Sequence, residues 1–324
     1  MNKFYRKLIF FLASLFVGNV CCSQPYPTKS IELIAPFGVG GSTDIMARAI
    51  AKSLVSILKQ PVVVVNKPGA SGSIGLTALA RSAADGYTIG IANVGGLGTA
   101  PACIKNPPYD SVKDFAPVSM FASVPNIMTV HRDFPANNYK ELIRELKRNP
   151  NKYNYGVQFC TQHHMIIEQL KLSNNVDIAM VPYKTASAML MDALNGTVAL
   201  SSETRPLLNQ HIVPGGLLKP IAIAWPHRLP ELPNVPTWTE LGMPDANIES
   251  WYGIIVPAGT PPDVINTLYL AMKQAAKDPE LQETIKNSGA YPRSVVPPEE
   301  FGRIIKQEAE RHRKTVELGR VKLD

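Results

Sequence analysis

The residues best suited to chemistry lie at Pro36-Phe37-Gly38-Val39-Gly40-Gly41-Ser42-Thr43-Asp44, directly after the apolar run Ile31-Glu32-Leu33-Ile34-Ala35. The pattern predicts a strand, a glycine-rich turn and a helix start. The first N–H groups of a helix have no partner inside it, and its N-terminus carries roughly half a positive charge. Such a turn can hold a carboxylate or phosphate with main-chain groups alone. No Gly-Lys-Ser/Thr closes the loop, which excludes a nucleotide P-loop. Asp44 has two readings here: an acid that complements the helix dipole, or a group at the mouth of the cradle that holds a bridging water or a ligand ammonium. A second glycine-rich turn, Asn93-Val94-Gly95-Gly96-Leu97-Gly98-Thr99, follows the strand pattern Thr88–Ala92. Either the two turns are unrelated, or they sit together at the carboxyl ends of parallel strands, where open α/β sheets bind ligands.

Other chemistries lack the required spacing. In Gly69-Ala70-Ser71-Gly72-Ser73-Ile74-Gly75 the glycines do not follow the dinucleotide fingerprint, so no cofactor is expected and the segment predicts a tight backbone approach at a lobe interface. No Gly-x-Ser-x-Gly elbow occurs. His163 and His164 are adjacent, so on a helix they diverge by about 100° and do not both ligate a metal easily. His131, His211 and His227 have no i,i+4 partner, and Glu308 and His312 lie on a charged terminal pattern. No metal site is expected, and these imidazoles read as surface or pocket-lining groups.

The N-terminus has Lys3, Arg6 and Lys7, then the apolar run Leu8–Val17, then compact residues to Cys22-Ser23, the pattern of a secretory signal over residues 1–22. The run is half the length of a membrane span. Lipid attachment at Cys21 or Cys22 is the competing reading, against which Gly18-Asn19-Val20 is a poor match to the usual box. The chain carries 33 basic and 26 acidic residues; losing the three basic residues of the leader leaves 30 against 26, a balance of +4. The cations are scattered apart from Arg311-His312-Arg313-Lys314, without interleaved aromatics, so no nucleic acid is expected as partner.

The elements that must position these turns alternate short apolar runs with amphipathic stretches, the signature of α/β sheets. Strands are predicted at 31–35, 62–65, 88–92, 126–130, 153–157, 179–181, 198–201, 220–224 and 251–256. Helices are predicted from Ile45 to Ile57 and at 139–148, 165–172 and 186–194, then a closing helical run whose first member begins with a Thr260 cap and Pro261. Pro226 to Pro244 reads as an extended connector anchored by Leu229, Leu232, Val235, Trp238 and Leu241. The length calls for two lobes. Cys103 and Cys160 fall in different lobes, where a bond would lock a hinge, so free thiols are expected ahead of a disulfide.

The chain resembles the substrate-binding proteins of tripartite tricarboxylate transporters, the Bug/TctC-type receptors. The motifs are Pro36-Phe37-x-x-Gly40-Gly41-x-Thr43-Asp44, Asn66-Lys67-Pro68-Gly69-Ala70-x-Gly72-x-Ile74-Gly75, Asp85-Gly86-Tyr87-Thr88, Pro108-Tyr109-Asp110 through Val118, Asn154-Tyr155-Gly156, Val181-Pro182-Tyr183-Lys184 and Trp251-Tyr252-Gly253 through Pro261. The resemblance implies a two-lobe, type II periplasmic-binding-protein-like α/β fold with two parallel-type sheets, a cleft and two hinge crossings. The leader would be 1–22, lobe I 23–123 plus 253–324 and lobe II 124–252, with hinges near Ser123–Pro125 and Glu249–Tyr252. It further implies a monomeric, non-enzymatic receptor in the periplasm that closes on a small carboxylate and hands it to a cognate membrane permease. Ligand-binding positions carried over are Phe37, Gly40, Gly41, Ser42 and Asp44, then Asn93, Gly95 and Gly96, and in the second lobe Thr161, Gln162, His164 and Glu203.

The chain departs from the family pattern at Val157 to Glu168, which is one residue short and lacks the usual glycines before its helix start, and at Val94 and Gly96, where hydroxyl residues are usual. The ligand is therefore not fixed by the resemblance. A carboxylate sensor or orphan receptor is an alternative, and an exported hydrolase or lyase using Asp44 and His164 is a rival that predicts turnover.

Overall fold

Residues 26–319 are described by the computed structural model, and the leader expected at 1–22 lies outside them. Lobe I is built on a 6-stranded sheet of β1 (Ile31–Ala35), β2 (Val62–Asn66), β3 (Thr88–Asn93), β4 (Phe115–Val124), β10 (Ser250–Pro257) and β11 (Tyr291–Pro292), in the order β11-β4-β10-β3-β1-β2. Lobe II has a 5-stranded sheet of β5 (Asn126–His131), β6 (Asn154–Gln158), β7 (Ala179–Tyr183), β8 (Leu200–Thr204) and β9 (Leu218–Ala224), ordered β7-β6-β8-β5-β9. The helices are α1 (Ser42–Leu58), α2 (Ser73–Ala80), α3 (Ala100–Cys103), α4 (Tyr139–Arg148), α5 (Gln162–Asn174), α6 (Ala186–Leu194), α7 (Arg205–Leu208), α8 (Pro262–Ala275), α9 (Pro279–Asn287) and α10 (Pro298–Gly319).

Both sheets are mixed, a refinement of the parallel pattern expected. β1 runs parallel to β2 and β3, and β6 parallel to β7 and β8. The strands that carry the chain between lobes run the other way: β10 is antiparallel to β3 and β4, and β5 is antiparallel to β8 and β9. The chain passes from the 6-stranded to the 5-stranded sheet at Val124-Pro125-Asn126 and is back in the first at Ser250. β10 is buried along its whole length, which fits its apolar run Ile254-Ile255-Val256. β4 was not anticipated as a strand.

The helices cover the sheets by burying one stripe each. In α1 that stripe is Met46, Ala47, Ile50, Ala51 and Leu54. α8 starts with Pro262 at its first position, but Thr260 does not cap it: its hydroxyl donates to the Pro257 carbonyl at 2.8 Å. The proline-dense connector is anchored as its apolar residues suggest, with Trp238 and Leu229 essentially inaccessible. α10 docks through Phe301 on Gly253 of β10, where any side chain would collide with the ring. It then lies against β4, α3 and the single π-helical turn at Gly95–Thr99, and reaches lobe II at α5, where Gln169 Nε2 donates to Thr315 Oγ1 at 2.7 Å.

The lobes share one apolar cluster. It runs from Leu76, Val94 and Leu97 through Cys103 and Cys160 to Ile166, Tyr155 and Leu200. Cys103 and Cys160 are bonded as a disulfide with Cα atoms 6.1 Å apart, which corrects the expectation of free thiols. That expectation treated the lobes as separate bodies. The fold instead packs α3 against the start of α5 under α10, so the two sulfurs meet inside a common core.

Candidate functional site

The cradle on lobe I is shaped by a buried acid. Asp44 accepts from the Gly40 N–H at 2.9 Å, from Arg48 Nε at 3.0 Å and from Asn66 Nδ2 at 2.9 Å. Burial alone would raise this carboxyl, but the bonds from Arg48, Gly40 and Asn66 outweigh it and hold it at about 2. Asn66 also donates to the Phe37 carbonyl at 3.0 Å, so one asparagine fixes both ends of the loop. The contacts seen at Asp44 are those of a brace on the loop before α1, a role outside both readings drawn from the sequence.

The loop leaves the helix start free. Gly41 precedes α1 in an extended conformation and no side chain caps the helix. The N–H groups of Ser42, Thr43 and Asp44 find no acceptor among the described residues, while Gly41 and Ser42 are exposed. These are unpaired donors on the positive end of a 17-residue helix, the arrangement that receives an anion.

The Gly69–Gly75 segment supports this loop from below. It forms a short turn and then α2, and its close approach is within lobe I, where the sequence had suggested a lobe interface. A Cβ on Gly75 would lie 2.7 Å from Pro36 Cα and 2.8 Å from the Lys67 carbonyl oxygen, and one on Gly72 would lie 3.0 Å from the Phe37 ring.

The second turn joins the first through side chains. Asn93 donates from Nδ2 to Thr43 Oγ1 at 3.2 Å and accepts the Gly96 N–H at 2.9 Å. Across the β3–β10 ladder, Asn93 faces Tyr252. The Tyr252 phenol is buried beside the side chains of Ser42 and Thr43, and burial raises its pKa, with the charge of Glu203 adding to the rise. Tyr252 thus stands between the two lobes' walls, a place the sequence did not reveal because it reads as one more strand residue.

Lobe II meets this wall with the start of α5 and the end of β8. Gln162 is the first residue of α5; its Oε1 would lie 3.4 Å from a Cβ on Gly95, and its Nε2 donates to Ser250 Oγ at 3.0 Å. Ser250 donates in turn to Asn126 Oδ1 at 3.0 Å, tying both crossings to the site. Thr161 caps α5 by accepting the His164 N–H, and its hydroxyl donates to the Gln158 carbonyl at 2.9 Å.

The adjacent histidines point to different places. His163 Nε2 lies 3.5 Å from Glu203 Oε2 and 3.2 Å from Gln162 Nε2. Burial pushes Glu203 up to about 7 and His163 down to about 3. His164 turns into lobe II: its Nδ1 accepts the Cys160 N–H at 3.3 Å and its Nε2 lies 3.7 Å from Glu168 Oε1. Glu168 is bonded by Tyr155 and Lys171 as well, and these contacts with His164 hold it at about 2 against the cost of burial. The imidazole next to the other named residues is therefore that of His163, one helix position away from His164. Among the described residues no group of three or more His, Cys, Asp or Glu forms a metal cage, and no helix is long and apolar enough to cross a membrane.

Two α/β lobes linked by two strand crossings, with a free helix start in one meeting the first turn of a helix in the other, define the class of two-lobed periplasmic binding proteins. Residues 46–319 match the model of the tripartite tricarboxylate transporter family receptor, TctC, and the chain belongs to that family. It is 33% identical over 304 residues to the protein BugT of Bordetella pertussis, covering 93% of each chain. A solved periplasmic transporter is 41% identical with a TM-score of 0.79, over 92% of this chain and 100% of that one. A protein of R. palustris solved with adipate is 30% identical with a TM-score of 0.78, over 91% and 98%.

Proposed function

We propose that this protein is an exported receptor that captures a small carboxylate between its lobes and presents it to a membrane permease. The observation that carries the reading is the uncapped start of α1: the N–H groups of Ser42, Thr43 and Asp44 are free, and the loop before them is braced by Asp44. Adipate in the R. palustris relative supports a carboxylic acid as the guest. Phe37, Gly40, Gly41 and Ser42 form the lip, Asn93, Gly95 and Gly96 the floor, and Gln162, His163 and Glu203 the facing wall. Thr161 and His164 hold α5 in place behind it.

Closure follows from differential affinity, the ligand stabilising whichever arrangement contacts it from both lobes. The disulfide and α10 tie the lobes together. Micromolar affinity requires about 8 kcal/mol, within reach of a desolvated carboxylate held by several amides.

Calorimetric titration with mono-, di- and tricarboxylates and amino acids tests the proposal. At least one acid binds the wild type at micromolar concentration or below, and Gly41→Val removes that binding. Gly41 has an extended φ of −76°, and its Cβ would meet only the Gly38 carbonyl oxygen at 3.5 Å, so the variant folds. Unchanged affinity in it would refute the cradle.

A further inference from the structure

Glu203 is a buried acid in the cleft with no lysine or arginine to match it among the described residues. It is 4% exposed, and its only ionic neighbour among the described residues is His163, itself 5% exposed. Burying a carboxylate costs several kcal/mol unless a positive group meets it. His163 is not that group, since burial holds its pKa near 3 and leaves it neutral at neutral pH. The one backbone bond to the carboxylate comes from Thr204 N–H at 3.2 Å. His163 adds a second unanswered group: its Nδ1 is buried without a partner. Gln162 Nε2 lies 3.2 Å from His163 Nε2, the same nitrogen that faces Glu203 Oε2 at 3.5 Å.

The two walls thus differ in sign. The start of α1 offers free N–H donors and the positive end of a helix dipole. Lobe II offers a carboxyl group with no lysine or arginine paired to it among the described residues. Tyr252 lies between them, beside Ser42 and Thr43 and within electrostatic reach of Glu203.

We propose that the cleft selects a zwitterion, an amino acid whose carboxylate docks on the first turn of α1 and whose ammonium pairs with Glu203, and that Glu203 rejects dicarboxylates of similar length. The inference rests on the reading of the cleft as a carboxylate site. The ammonium supplies the missing cation, and a second ligand carboxylate in its place would meet a like charge in a desolvated setting or force Glu203 to take up a proton. Closely apposed charge pairs in interfaces couple strongly enough to shift affinity by about tenfold or more.

Calorimetry at pH 7.5 with three matched sets decides it: amino acids, their deaminated monocarboxylates, and dicarboxylates of the same length. The wild type binds an amino acid about tenfold or more tightly than either matched analogue. Glu203→Gln loses that preference, weakening the amino acid more than its deaminated analogue and strengthening the dicarboxylate. Wild-type protein that binds a dicarboxylate as tightly as the matched amino acid, or binds only acids without an amine, overturns the zwitterion proposal and leaves the carboxylate receptor standing. Equal weakening of the amino acid and its deaminated analogue in Glu203→Gln also overturns it. No binding of any acid overturns the receptor reading and this inference together. The wild-type panel decides the matter if the variant fails to fold.

Discussion

Cys103 and Cys160 are bonded across the boundary between the two lobes, joining α3 to the residue two before α5, with Cα atoms 6.1 Å apart at a sequence separation of 57. A link closing a loop of that size restricts the unfolded chain by about 4 kcal/mol. Replacing both cysteines by alanine, which keeps the buried sites apolar, lowers the melting temperature by roughly 5–10 °C. Wild-type protein treated with a reducing agent shows the same loss. Equal melting temperatures with and without reductant would contradict the bond.

The buried carboxyl of Glu203 makes stability depend on pH. Its folded pKa, pushed up to about 7 from an ordinary 4.5, means its contribution is complete below pH 4.5 and is lost as pH rises through 7. His163, held near 3, works in the opposite direction, favouring the fold above pH 6.5 and opposing it in acid. Glu203→Gln removes the first dependence and keeps the second. The difference in melting temperature, variant minus wild type, therefore becomes more positive between pH 5 and pH 8. A difference that stays flat or falls over that range would show that the carboxyl ionises freely in the folded protein.

Asp44 braces the cradle, and its loss is felt by both fold and ligand. Asp44→Ala leaves the Gly40 N–H, Arg48 and Asn66 without their acceptor, which costs roughly 1–3 kcal/mol. With a carboxyl held at about 2, the stabilisation is complete above the ordinary 3.8 and is lost only as pH falls toward 2. Urea melts at pH 7 and pH 2.5 show the gap between variant and wild type shrinking in acid. Ligand affinity falls as well, because the loop is no longer held open at the helix start.

Gly75→Ala forces a methyl group against the backbone of Pro36 and Lys67, and overpacking of this kind costs roughly 1–3 kcal/mol. Gly38→Ala, on the same loop system but with nothing within 4 Å of its Cβ, is the control and stays within about 0.5 kcal/mol of wild type. Chemical denaturation of both variants checks the contrast. Similar stabilities would mean that the Pro36 turn yields easily.

The strand, turn and helix start at Ile31 to Asp44 were legible because three local signals agree there: an apolar strand, a glycine turn and an amphipathic helix. β4 was not, because Pro117 and two serines interrupt its pattern. The structure places Pro117 at a register shift against Ile254 and Ile255, where a missing N–H is tolerated. α2 was hidden by Gly72 and Gly75, which signal a turn locally but serve a close approach to Pro36 that only the fold brings about. The choice between His163 and His164 depends on where α5 begins, and one residue of phase turns an imidazole by about 100°. The disulfide was hidden by the assumption that each lobe encloses its own core.

The central claim is that main-chain amides at the start of α1 grip an acid between two lobes. A crystal structure of the protein with the tightest-binding acid from the titrations tests it most directly. A ligand carboxylate at hydrogen-bond distance, about 2.9 Å, from the N–H groups of Ser42, Thr43 or Asp44 is the result predicted. An acid lodged away from the first turn of α1, or found as a cleaved product, would contradict it.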